Sequence, residues 1–149
     1  MLAIFIQICF YFGITSGQIV TPSNGNITAQ EHSTVTLQWE ISLLPGEKVS
    51  NLKLYHKYYM EELYDPSTIR YKPLWSQDGQ NTFDDYRWKD MNFTISEPYF
   101  PNFIVRIDNV IAGFTQFALS GVINHTDSAS TTFSYIPIHI GIIGNSLFT

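Results

Sequence analysis

The chain has 149 residues, a formal net charge of -5 and slightly more aromatic residues (15%) than charged ones (14%). Its eight Lys and Arg are spread from Lys48 to Arg106 and interleaved with acids, as in Glu47-Lys48 and Lys89-Asp90, so no basic patch is present for a phosphate backbone and a nucleic-acid partner is excluded. The length suits one domain with a sizeable core and would be cramped for two.

The first segment, Met1 through Gly17, carries no charge and is apolar from Leu2 to Ile14 except at Gln7 and Gly13. A membrane span needs roughly 20 apolar residues and the core of a secretory leader about 7 to 15, so this stretch reads as a leader. Thr15 and Gly17 are the small side chains that a signal peptidase requires, which sets cleavage after Gly17, a domain over 18–140 and a short tail over 141–149. The only cysteine, Cys9, departs with the leader, and the mature chain enters an oxidising compartment without a disulfide.

After the leader the apolar pattern has period two, which predicts strands. Val35, Leu37, Trp39 and Ile41 alternate with Thr34, Thr36, Gln38 and Glu40, a half-buried strand with one wet face. Pro45-Gly46 marks a turn, and Leu52, Leu54 and His56 alternate with Asn51, Lys53 and Tyr55. His56 is expected at the core edge or the surface. From Lys57 to Tyr86 the alternation blurs into short edge strands and loops around Pro66, Pro73 and Asp78-Gly79. Phe93 and Ile95 open another strand, followed by Phe103, Val105 and Ile107, then by Phe117, Leu119, Gly121 and Ile123. Thr132 to Ile140 reads as the last strand, with Pro137 requiring an edge position or a bulge. Seven to nine short strands in about 130 residues predict an all-β, two-sheet sandwich.

Val35-Thr36-Leu37-Gln38-Trp39 resembles strand B of a V-set immunoglobulin domain, with Trp39 where the family has a cysteine. Leu52 to Lys57 is similar to strand C, with Leu54 in place of its buried tryptophan, and Asn92 to Ile95 is similar to strand D. Phe103 to Val110 follows the strand E pattern, and Gly113 to Ile123 resembles the E-to-F corner and strand F, with Phe117 at the corner tyrosine and Leu119 at the second cysteine. The resemblance implies an immunoglobulin-like Greek-key sandwich in which Trp39 and Leu119 meet in the core in place of the disulfide. The crosslink so lost is worth about 2 to 4 kcal/mol, which a large buried side chain can offset.

Three sequons stand behind the leader, Asn26-Ile27-Thr28, Asn92-Phe93-Thr94 and Asn124-His125-Thr126, and predict a glycoprotein. His32, His56, His125 and His139 are too scattered for a metal site, and the acid runs Glu61-Glu62 with Asp65 and Asp84-Asp85 match no calcium loop. With no nucleophile elbow, phosphate-binding loop or selected carboxylate pair, no enzyme is predicted, and neither a metal nor a cofactor.

The aromatic residues between Tyr55 and Trp88 exceed what one edge of a small core can bury, and Tyr and Trp anchor interfaces. Tyr55, Tyr58, Tyr71 and Trp75 are therefore the candidate partner-binding residues. On the V-set resemblance Tyr55, Tyr71 and Trp75 share a C, C′ and F face bare of sequons, with Asn26 and Asn92 on or near the opposite sheet and Asn124 at the turn after strand F. The expected function is an extracellular module, secreted or at the cell surface, that recognises another protein or its own copy. A carbohydrate-binding module using Trp75 and Trp88, or an immune decoy, is the alternative.

Overall fold

The computed structural model describes residues 20–58, 71–79, 90–112 and 114–144. The leader Met1 to Gly17, both acid runs and Trp88 lie outside them, as do Tyr59, Tyr64, Phe83 and Tyr86.

Two stretches that had shown no alternation open the fold, β1 (Val20–Pro22) and β2 (Asn26–Gln30). Then come β3 (Val35–Ile41), β4 (Lys48–Tyr58), β5 (Lys72–Ser76) and β6 (Phe93–Ser96). The last are β7 (Asn102–Ile107), β8 (Phe114–Asn124) and β9 (Ser130–Ile143), the last reaching three residues past Ile140.

These strands form two sheets, one ordered β1-β3-β7-β6 and the other β2-β9-β8-β4-β5. The two N-terminal strands thus join different layers: β1 is antiparallel to β3, and β2 is parallel to β9. Alternation does the rest. On β3, Val35, Leu37, Trp39 and Ile41 are buried, and they face Leu52, Leu54, Phe117, Leu119, Ile123, Ile138 and Ile140 of the other sheet across one core. His56 is fully buried on the inner side of β4 instead of lying at an edge or the surface, because its register partner is the buried Phe117.

Pro137 sits inside a central strand, and local pairing explains how. Alternate N–H groups of a strand point to the same neighbour. The His139 N–H reaches the Gly25 carbonyl on the β2 side at 3.0 Å, and β2 begins pairing only at Asn26 opposite His139. Two residues earlier, the missing N–H of Pro137 falls where β9 has no partner on that side, so the chain there behaves as an edge.

Candidate interaction surface

The core around Trp39 determines which aromatic side chains remain for the surface. Trp39 on β3 and Leu119 on β8 are both fully buried, in facing sheets. The indole N–H of Trp39 donates to the Ile136 carbonyl at 2.9 Å, and Ile136 is the β9 residue paired with Leu119. The tryptophan thus ties one sheet to the other by a hydrogen bond as well as by bulk. Its ring meets Phe103 edge-on at 6.0 Å.

Trp75, expected on the outer face, turns the other way. It pairs with Leu54, a core residue, so the pleat directs it between the sheets. Its ring packs on Phe103 at 5.4 Å and on Tyr99 at 5.2 Å, closing the edge of the sandwich. Trp75 is thus half-buried at the core edge and does not share the outer face of the sheet.

Tyr55 and Tyr71 do come together, on the outer face of the five-stranded sheet, and a residue not foreseen joins them. Tyr135 of β9 meets Tyr55 edge-on at 5.1 Å and stacks on Tyr71 at 4.7 Å with the rings 11° apart. Tyr135 is 46% exposed. A bulge places it there. The β8–β9 register shifts between Leu119 and Gly121, which pair with Ile136 and Phe133, so β9 holds an extra residue at this point. Tyr135 takes a left-handed φ of 52° and its N–H donates to Ser120 Oγ at 2.8 Å. Without the extra residue, Tyr135 would share the inward face of Phe133; the bulge turns it outward. Tyr58 ends β4 opposite Phe114.

Ala118 lies beneath this cluster, fully buried although on the outward side of β8, flanked by Tyr55 on β4 and Pro137 on β9. Gln116 Nε2 donates to the Tyr71 hydroxyl. Burial pushes the hydroxyls of Tyr55 and Tyr71 above the ordinary phenol value, with the neighbouring Tyr135 adding to the effect, so both remain neutral hydrogen-bonding groups in physiological solution. The outer face of the four-stranded sheet differs in character: Thr36, Gln38, Glu40, Asn102 and Arg106 surround the half-buried Ile104 and make it largely polar, with Gln38 Nε2 donating to Asn102 Oδ1 at 3.0 Å.

All three sequon asparagines are exposed. Asn92 precedes β6 in the four-stranded sheet, as expected. Asn26 does not lie on the opposite sheet: it heads β2, in the same sheet as the tyrosines, because β2 joins β9 and not β3. It is opposite His139, four residues along β9 from Tyr135 or about 13 Å at strand rise. Asn124 ends β8, where its Nδ2 donates to Ser50 Oγ at 2.8 Å.

Beside Asn124 a second polar cluster joins two turns. His125 Nδ1 lies 2.6 Å from Glu47 Oε1 and His125 Nε2 lies 2.6 Å from Thr131 Oγ1, while Glu47 Oε2 accepts the Leu44 N–H at 2.8 Å. These bonds, the backbone donor first and His125 second, hold the Glu47 carboxyl below its ordinary value. Among the described residues no three His, Cys, Asp or Glu side chains gather to hold a metal ion, and no helix is long and apolar enough to cross a membrane.

No protein-family model matches the sequence, and no curated protein matches it. Solved structures do. A murine CRIg structure superposes with a TM-score of 0.64 at 10% identity, over 85% of this chain and 99% of that one. A chain from a structure on T cell specificity and activation by the bacterial superantigen toxic shock syndrome toxin-1 superposes with a TM-score of 0.60 at 10% identity, over 85% of this chain and all of that one. At such identity the likeness speaks for the fold: the chain is an all-β, two-sheet sandwich of immunoglobulin-like architecture.

Proposed function

We propose that the chain is a secreted or cell-surface recognition module of V-set immunoglobulin type, which binds a protein partner through the outer face of its five-stranded sheet. The observation that carries this reading is the outward cluster of Tyr55, Tyr71 and Tyr135, held by a bulge over the small Ala118. Tyrosines supply large contact area with few rotors to immobilise, and an exposed stack with neutral hydroxyls combines apolar area with hydrogen bonding. The placing of β1 and β2 in different sheets, with β2 parallel to β9, supports the V-set assignment alongside the sequence resemblance. One of its structural neighbours comes from a structure about T cell specificity, itself a recognition setting.

The test is a bead-based screen of the purified chain against arrayed extracellular domains, its own included, followed by affinity measurement for each hit with the Tyr135→Ala variant. A hot-spot truncation costs at least about 2 kcal/mol, so Kd should rise about thirtyfold without a change in melting temperature. Unchanged affinity for every hit would move the interface elsewhere. Binding abolished by free sugars would favour a carbohydrate ligand instead.

A further inference from the structure

Pleat and register put one of the three sequons beside the tyrosines. On β2, Ile27 and Ala29 pack against the core, so Asn26 and Thr28, both exposed, point outward. The register partner of Asn26 is His139, which stands between the buried Ile138 and Ile140 and is outward too. Tyr55, between the buried Leu54 and His56, is on the same side of the sheet. The sequence resemblance puts Asn26 on or near the opposite sheet and leaves this face bare; the parallel pairing of β2 with β9 brings Asn26 onto it.

Distance separates Asn26 from the other two sequons. Ala118, beneath the tyrosine cluster, pairs with Pro137, two residues along β9 from His139. Two strand spacings of about 4.8 Å across the sheet and two residues of about 3.3 Å along it place Asn26 about 12 Å from Ala118. Asn124 is outward as well, next to the buried Ile123, but it is six residues along β8 from Ala118, or about 20 Å. Asn92 precedes β6 in the other sheet. A stable protein interface covers about 800 Å² of each partner, a patch about 16 Å in radius. Centred on Ala118, such a patch includes Asn26 and leaves Asn124 and Asn92 outside.

We infer that Asn26 is an N-glycosylation site whose oligosaccharide gates the tyrosine face, holding off a protein partner of ordinary footprint when present and admitting it when absent. The inference rests on the proposed function, both for the face and for the secretory routing. In the modification Asn26 Nδ2 bonds to C1 of the first sugar of a lipid-pyrophosphate-linked oligosaccharide. The C1–O bond to pyrophosphate breaks, the lipid pyrophosphate leaves, and the transferase takes up the amide proton. The bulky, hydrated glycan, attached to an outward side chain inside the footprint, then stands in the space that the partner must fill.

The full chain is expressed in secreting eukaryotic cells with its own leader and, in parallel, with residues 1–17 replaced by a proven leader, and occupancy is read by peptide mass spectrometry. Asn26 is expected to be modified in the exported protein; an unmodified Asn26, or export with the replaced leader alone, overturns the inference. The gate is then measured with Fab fragments as probes of ordinary footprint, selected on the Thr28→Ala variant and kept where a further Tyr135→Ala abolishes their binding. Asn26→Gln, which loses the same glycan with Thr28 intact, should bind these Fabs as tightly as Thr28→Ala does, and the glycosylated parent at least about tenfold more weakly. Thr94→Ala and Thr126→Ala, which remove the other two glycans, should bind as weakly as the parent. A parent that binds as tightly as Asn26→Gln, or a Thr94→Ala or Thr126→Ala protein that does, overturns the gate at Asn26. The domain screen reads the underlying function separately: partners that all ignore Tyr135→Ala refute the tyrosine face, whereas Fabs that ignore the glycan refute the gate.

Discussion

Trp39 concentrates two jobs in one side chain. Its ring fills the space between the sheets, and its N–H satisfies the Ile136 carbonyl at the rung that also holds Leu119. The jobs separate by mutation. Trp39→Phe keeps most of the bulk and removes the donor, and should lower stability by about 1 to 3 kcal/mol through the carbonyl left without its partner. Trp39→Ala removes both, and should cost about 3 to 5 kcal/mol, a large part of the roughly 5 to 15 kcal/mol that holds a domain together. Urea unfolding measures both, and equal midpoints for parent and Trp39→Ala would show that Trp39 does not replace a crosslink. That Trp39 is buried could be read from its alternation with Gln38 and Glu40. Its hydrogen bond could not, because Ile136 is 97 residues away.

At the scale of elements, regular alternation was legible and its interruptions were not. β3, β6, β7 and most of β8 follow from period two alone, since each has one face in the core. β1 and β2 are short, polar and separated by Ser23, Asn24 and Gly25, which reads as loop until β9 supplies the hydrogen-bonding partner. Pro137 did announce an irregularity in β9, but pairing with β8 was needed to show that the extra residue lies two positions earlier and turns Tyr135 outward. The turn that His125 and Glu47 join makes a pH-dependent prediction. The Glu47 carboxyl is held below its ordinary value of 4.5, so its contribution to stability is complete above that value and is lost as the pH falls through the lowered one. Thermal melting of Glu47→Gln should therefore fall less steeply than the parent's on the acid side of pH 4.5. Parallel profiles would show that the clamp contributes nothing.

For the whole molecule, the two sheets divide the labour between them. The four-stranded sheet turns a polar outer face to solvent, with Arg106 and Asp108 paired at 2.7 Å along it. The five-stranded sheet gathers Tyr55 from β4, Tyr71 from just before β5 and Tyr135 from β9 onto one surface. Tyr55 and Tyr71 were candidates from composition and position; their meeting depends on antiparallel pairing across β4, β8 and β9, which no local pattern encodes. Trp75 had the same composition and position but the opposite pleat, and so belongs to the core edge. The central claim, recognition through the tyrosine face, is tested most directly by masking each outer face with a new glycan. Lys53→Asn with Tyr55→Thr creates a sequon on the five-stranded sheet, and Gln38→Asn with Glu40→Thr creates one on the four-stranded sheet. Affinity of both glycosylated proteins for the partner, measured by biosensor, should be lost in the first and retained in the second; binding retained in the first and lost in the second would contradict the claim.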